Sequence, residues 1–149
     1  MENSMQDTII GALRTFFLAC PLMGKNKLNV DYLPADCKKN GIEYSIDTTP
    51  ATEIIKRYTN GFTRRQYLFV ISSVNDYGNG TLQNIASSGF YEKLSDWLEA
   101  QTKSGVLPLL PDGKTADSIE AQTTGYLFSV SPNSGKYQIQ CRLVYTQKG

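Results

Sequence analysis

The sequence contains no histidine. Histidine is the commonest general base and the commonest protein ligand for metals, so its absence lowers the expectation of an enzyme or of a metal centre. The cysteines Cys20, Cys37 and Cys141 are odd in number and share no close spacing. They therefore indicate neither a disulfide framework nor a zinc site, and a reducing compartment fits them best.

An excess of charge and a long apolar run are also missing. Lys and Arg number 15 against 14 Asp and Glu, a net charge of +1, so no global field attracts nucleic acid or anionic lipid. No stretch approaches the roughly 20 apolar residues of a membrane span. The apolar run 8–20 contains Arg14 and follows Glu2 and Asp7, which argues against a secretory signal. We expect no membrane partner.

What the sequence does contain is typical of one folded domain. Its 149 residues fit a single domain spanning 1–149, which would bury about 70% of the surface of its unfolded chain. Hydrophobic residues make up 40% of the chain and include nine tyrosines and six phenylalanines, which argues against disorder.

Two amphipathic helices are predicted from apolar residues at helical spacing. The first covers roughly 4–19, with Ser4 or Asp7 as its cap. The second carries an apolar stripe from Leu82 to Leu98 and ends at Gly105, and Ser88-Gly89 inside it is a candidate for a kink or a break. The first stripe consists of Ile9, Ile10, Leu13, Phe16, Phe17 and Cys20.

Five strands are predicted, over 42–48, 52–59, 64–74, 117–130 and 136–147. The third is apolar on both faces and should be central. The last alternates cleanly, so one of its faces should lie on the core. The fold class is α/β in the α+β sense: a mixed, mainly antiparallel sheet of about five strands with two helices packed on one face. The connection 23–41 is long for a compact domain, and only 28–33 within it suggests an extended piece.

Two patterns resemble catalytic or binding sites without completing one. Gly78-Asn79-Gly80-Thr81 lies between a strand and a helix but lacks the Gly-Lys-Ser/Thr core of a phosphate loop. Glu92, Asp96 and Glu99 share one helix surface, and a solvated helix face explains them. We expect no catalytic residue, no metal and no cofactor.

The hairpin around Asn60-Gly61 concentrates positive charge. With interleaved aromatic residues it could grip single-stranded nucleic acid. Alternatively it is a charged hairpin that resists edge pairing or docks on an acidic neighbour, and the neutral total charge favours this second interpretation. The hairpin cations are Lys56, Arg57, Arg64 and Arg65.

The polar face of the last predicted strand is a further candidate contact surface, because it is either solvated or meets a partner. Its residues are Gln138, Gln140, Arg142 and Thr146. The long connection 23–41 is a third candidate, since loops on a rigid scaffold often carry binding.

Several spaced blocks between residues 42 and 146 form a recognisable pattern. The blocks are Tyr44-Ser45-Ile46-Asp47, Lys56-Arg57-Tyr58, Arg65-Gln66-Tyr67-Leu68-Phe69, Gln83-Asn84-Ile85, Gly89-Phe90-Tyr91-Glu92, Asp96-Trp97-Leu98-Glu99, Gly125-Tyr126-Leu127-Phe128 and Tyr137-Gln138-Ile139-Gln140-Cys141-Arg142-Leu143. They resemble the small "minor capsid" proteins of tailed-phage and prophage structural modules, some of which carry a label as chloramphenicol-resistance proteins. The order helix, three strands, helix, two strands is similar to that of the tail-terminator proteins of long-tailed phages.

The resemblance implies a structural virion protein that is not an enzyme. It would be made in the bacterial host cytoplasm and incorporated at the tail or neck of the phage. Its partners would be further copies of itself in a ring, expected to be a hexamer, then the tail-tube protein and a head-completion or neck protein, with no sequence-specific nucleic acid. The alternatives are another neck or tail-tube structural protein, a small nucleic-acid-binding module that uses the hairpin 56–67, and a resistance or other enzyme.

Overall fold

The computed structural model describes residues 8–23, 28–31, 33, 43–76, 81–131 and 134–149. In chain order the elements are α1 (Ile9–Leu18), β1 (Leu28–Val30), β2 (Tyr44–Thr48), β3 (Ile54–Arg57), β4 (Thr63–Asp76), α2 (Thr81–Ser104), β5 (Lys114–Ala121), β6 (Tyr126–Ser131) and β7 (Ser134–Gln147).

A ribbon of two long strands forms the centre of the sheet. β4 and β7 each have 14 residues and pair antiparallel along their whole length, from Thr63 opposite Gln147 to Asp76 opposite Ser134. β2 and β3 flank β4, whereas β5 and β6 flank β7. The prediction that the strand over 64–74 is central is confirmed.

The two ends of the ribbon are flanked by different strands. At the β5 end, where β4 begins and β7 finishes, the order across the sheet is β3-β4-β7-β5. At the β6 end, where β4 finishes and β7 begins, the order is β1-β2-β4-β7-β6. β1 and β2 pair parallel and the other pairs are antiparallel, so the predicted mixed, mainly antiparallel sheet is confirmed.

The strand count of about five was too low, because the described chain holds seven. β1 lies in the connection 23–41, where three residues give little periodic signal. The predicted strand 117–130 is in fact two strands, since pairing with β7 stops at Ala121 and resumes at Tyr126. Between them Gly125 packs so close to Tyr91 of α2 that an added Cβ would lie 2.2 Å from the Tyr91 Cβ. A glycine is therefore required where the chain passes the helix.

α1 begins one residue after Thr8, which acts as its N-cap. The Thr8 hydroxyl oxygen accepts a hydrogen bond from the Gly11 amide at 3.1 Å, the usual capping geometry. The predicted caps Ser4 and Asp7 lie outside the described residues. Leu13 and Phe17 on the inner face of α1 are fully buried.

α2 is one continuous helix of 24 residues, so no break divides it at Ser88-Gly89. The helix packs on the same sheet face as α1. Trp97 meets the rings of Phe16 and Phe17 at centroid distances of 5.1 and 5.9 Å, and the Tyr91 and Ser73 hydroxyls lie 2.6 Å apart. The two predicted helices on one face are therefore confirmed.

The core lies between this helix layer and the sheet. The predicted inward face of the last strand is buried as expected, and each fully buried large apolar side chain contributes about 1.5–3 kcal/mol. The inward residues of β7 are Tyr137, Ile139, Cys141, Leu143 and Tyr145. Burial raises the pKa of the Cys141 thiol well above its usual range, which keeps the sulfur protonated and unreactive.

Candidate assembly surfaces

Four of the described strands lie at margins of the sheet: β1 and β3 on the β4 side, and β5 and β6 on the β7 side. An edge strand presents unpaired backbone N–H and C=O groups, which are a template for pairing with another chain unless something protects them. These four edges are protected in different ways, and we take the least protected edge as the candidate site.

Helix side chains protect two of the edges. On β1, Nε of Arg14 donates to the Leu28 carbonyl at 2.9 Å. On β5, Oγ1 of Thr102 donates to the Ile119 carbonyl at 2.7 Å and accepts from the Ile119 amide at 3.1 Å. One threonine of α2 thus occupies both backbone groups of an edge residue.

Charge, shortness and irregularity protect β3. It has four residues, its register with β4 shifts between Ile54 and Lys56, and both Lys56 and Arg57 are exposed. Short strands, bulges and edge cations are the usual devices against edge-to-edge pairing.

β6 has no charged residue of its own, and among the described residues no helix side chain bonds to its backbone. Its six residues are uncharged, and in the described part of the chain its strand partner is β7 alone. The register shifts between Leu127 and Ser129, which leaves Phe128 as the extra residue of a bulge. Phe128 and Val130 are 57% and 59% exposed. Within the described part of the chain, β6 is therefore an edge strand with exposed apolar side chains, and Nζ of Lys136 lies 5.3 Å from the Phe128 ring centroid.

β6 also meets the predicted polar face of β7. Nε2 of Gln138 and Nε2 of Gln140 donate to the Tyr126 hydroxyl at 2.7 and 3.1 Å. Gln138 is 8% exposed, whereas Gln140 is exposed. Their role in assembly stays a prediction, and the structure gives both of them a bond within the chain.

Arg142, the third residue predicted on that face, lies between two polar neighbours. Its Nη1 is 3.4 Å from Oε1 of Gln66, and its Nη2 is 3.7 Å from a carboxylate oxygen of Glu120. Arg142 thus links β4, β7 and β5, and its predicted contact with a partner stays a prediction.

The hairpin of β3 and β4 carries the predicted cations, but one is paired within the chain. Nη1 of Arg65 lies 2.9 Å from Oε1 of Glu53. Lys56, Arg57 and Arg64 remain exposed. Lys56 and Arg57 line a shallow groove of about 670 Å³ together with Tyr58, whose ring centroid lies 5.2 Å from Nζ of Lys56. We call Lys56, Arg57, Tyr58 and Arg64 the cationic hairpin.

The tip of this hairpin is shaped by Asn60 and Gly61. The amide of Tyr58 donates to the Phe62 carbonyl at 2.9 Å, and Oδ1 of Asn60 accepts from the Phe62 amide at 3.0 Å. Gly61 has φ +90°, a conformation that favours glycine. The Asn-Gly pair therefore fixes where the cations stand.

An acidic groove of about 540 Å³ runs between α2 and β5. Asp96, Glu99 and Lys103 of α2 and Glu120 of β5 line it. Thr102 and the buried Ile119 also line it. In the described part of the chain no group of three or more acidic or thiol side chains is placed to hold a metal ion.

The remaining predictions concern the connection 23–41 and membranes. The described part of that connection is β1 with a few neighbouring residues, so its role as a contact surface stays a prediction. Neither helix, over the residues described, combines the length and apolar character needed to cross a bilayer.

Sequence reasoning missed the open edge of β6 and the acidic groove. The apolar residues Leu127, Phe128 and Val130 were merged into one strand with 117–121, so their exposure at an edge was not foreseen. Asp96 and Glu99 were recognised as a helix face, but the approach of Glu120 depends on the pairing of β5 with β7.

Comparison of the chain with protein-family models and with curated proteins finds no significant match. The surfaces described above, together with the sequence resemblance, therefore carry the functional argument.

Proposed function

We propose that this chain is a structural protein that assembles with further copies of itself into a closed ring, as the tail terminator or a closely related head-tail joining protein of a long-tailed phage. The observation that carries the assembly part is the edge of β6, where Phe128 and Val130 are exposed and where the described residues place no helix side chain on the backbone. An exposed apolar edge strand on a soluble domain is either a contact surface or an aggregation hazard. The phage part rests on the sequence resemblance.

The placement of the edges supports a ring rather than a two-fold dimer. The β6 edge differs from the β3 edge in length and charge, and it differs from the β1 edge in length and in the helix side chain that bonds to β1. Contact between two unlike surfaces is heterologous, and a heterologous contact closes into a ring when its rotation divides a full turn. A subunit with unlike opposite edges is suited to this arrangement.

The mechanism we propose is geometric. One face of the ring would complete the tail tube by contacting the tail-tube protein, and the other would present a docking surface for a head-completion or neck protein. Neither step requires bond making or breaking. Another neck or tail-tube protein would use the same edges, so the partner distinguishes these roles.

The test is the size and shape of the assembled protein. Size-exclusion chromatography with light scattering should show a hexamer, or a monomer that assembles when tail-tube protein is added. Negative-stain images should show closed rings. A monomer that ignores tail-tube protein at every concentration would contradict the proposal.

A further inference from the structure

Two surfaces of opposite charge lie on opposite edges of the sheet at the β5 end of the ribbon. The cationic hairpin stands on the β3 side, and the acidic groove lies on the β5 side. Across β3-β4-β7-β5, three strand spacings of about 4.8 Å separate the two edge strands by roughly 14 Å. One chain therefore carries a positive projection and a negative groove facing away from each other.

We propose that the acidic groove receives the cationic hairpin of a second copy of this chain. The inference rests on the proposed function and specifies which surfaces meet between neighbours in the ring. Lys56, Arg57 and Arg64 supply three exposed positive charges. Asp96 and Glu99 supply two exposed negative charges, and Glu120 adds a third whose carboxylate lies 3.7 Å from Nη2 of Arg142.

Apolar contact accompanies the charges. Tyr58 is 39% exposed on the hairpin, and tyrosine is among the residues that most often anchor protein interfaces. On the side of the groove formed by β5, Ala121 offers a partly exposed apolar surface, whereas Ile119 is fully buried. A tyrosine seated there would be surrounded by charge pairs, which is the usual arrangement of an interface core and its rim.

The contact we infer is docking into a groove rather than extension of the sheet. Thr102 already occupies the amide and carbonyl of Ile119, so a strand from another copy would find these two groups taken. The hairpin would instead approach between β5 and α2. The open strand β6 lies on the same side of β7 as β5, so a neighbour held in the groove would also face β6.

Charge exchange tests this contact. The hairpin variant Arg57→Glu/Arg64→Glu and the groove variant Asp96→Lys/Glu99→Lys alter exposed side chains only. Each alone should weaken self-association at least about tenfold, because like charges would then meet. An equimolar mixture should assemble again with the two variants alternating, since each supplies the charge that the other lacks. Combining all four changes in one chain should restore association as well.

The matched control is Glu92→Lys, an exposed carboxylate of α2 that does not line the groove. It should leave association unchanged. Light scattering over a range of concentrations gives the dissociation constants, and circular dichroism checks that each variant is folded.

The outcomes separate this inference from the proposed function. If the wild type assembles and neither charge variant weakens it, or if the mixture fails to assemble, the hairpin-groove contact is wrong and the ring stands. If the wild type stays monomeric even with tail-tube protein, both fail. If only the hairpin variant loses assembly, the groove is not its receptor. If the hairpin binds single-stranded oligonucleotide while self-association is unaffected, its partner is nucleic acid.

Discussion

β5 and β6 flank the same side of β7, one after the other, and in the part of the chain that the structure describes only β5 has a helix side chain bonded to its edge. β5 carries charged side chains, and Thr102 of α2 takes both backbone groups of Ile119 at its edge. β6 carries no charge and exposes Phe128 and Val130. A helix side chain thus closes the edge of β5, and over the residues described no such contact is present at β6. Protection at one end makes the open edge at the other end informative about function.

The largest effect is expected from placing a charge on β6. Phe128→Asp should weaken self-association about 100-fold, because a carboxylate would lose its water in an apolar contact. Its effect on the free energy of unfolding should stay within about 0.5 kcal/mol, since Phe128 is already exposed. Light scattering and urea denaturation measure the two quantities.

The matched control for this change lies on β5. Thr115→Asp introduces the same carboxylate at an exposed position of the covered strand. Association should stay as in the wild type. Equal losses for the two variants would show that β6 is no more important than β5.

The next largest effect concerns the cover of β5. Thr102→Val keeps the shape of the side chain but removes the hydroxyl that bonds to the amide and carbonyl of Ile119. Leaving these groups without a partner should cost about 2 kcal/mol of unfolding free energy. Urea denaturation measures the loss.

Thr102→Ser serves as the control, because it keeps the hydroxyl, and it should retain most of the wild-type stability. If Thr102→Val is as stable as the wild type, the contact of Thr102 with Ile119 does not stabilise the edge of β5. The comparison of a covered β5 with β6 would then no longer hold.

A moderate effect is expected at alkaline pH. Burial raises the pKa of Tyr145 on β7 to about 12, and the neighbouring Glu53 carboxylate adds to the shift. Because the folded pKa exceeds the ordinary value of 10, this tyrosine contributes stability that is complete below pH 10 and is lost as the pH rises through 12. Urea midpoints at pH 8 and pH 11 should show the loss.

Tyr145→Phe should make the midpoint less sensitive over that interval, because the ionising hydroxyl is gone. Burial also raises the pKa of Tyr91, which approaches the β6 end of the ribbon, so some alkaline loss should remain in the variant. An unaltered pH dependence would show that Tyr145 does not ionise on unfolding as the structure implies.

The smallest effect is expected for the ion pair of the hairpin. Glu53→Gln removes the charge that faces Arg65, and the Arg65 and Glu53 side chains are 19% and 56% exposed. Partly exposed pairs contribute at most about 1 kcal/mol, so the change should be smaller than that of Thr102→Val. A larger loss in urea denaturation would mean that Glu53 matters more to this edge than its exposure suggests.

Local periodicity predicted the elements whose signal lies in their own residues. The alternation along β7 and the two-sided apolar character of β4 foretold the core face and the central position, because a strand buried on both faces must be apolar on both. From Phe90 to Leu98, where its side chains are described, the helical stripe of α2 likewise foretold which face it buries. These features require no knowledge of distant residues.

The remaining features depend on contacts between residues far apart in the chain. Gly125 interrupts the predicted strand because Tyr91 lies against it, and no pattern within 117–130 reveals that neighbour. Thr102 covers Ile119 through a contact spanning 17 residues, and Glu120 joins Asp96 and Glu99 only through the packing of β5 on α2. The surfaces that we assign to assembly are thus products of tertiary structure.

Hydrogen-deuterium exchange of the β6 and β5 amides, measured below and above the concentration at which the protein assembles, tests the central claim most directly. We expect the amides of β6 to become protected from exchange on assembly. The exchange rate of the Ile119 amide, which is already bonded to Thr102, should change little. Assembly that leaves every β6 amide exchanging at its monomer rate would contradict the assignment of β6 as a contact between subunits.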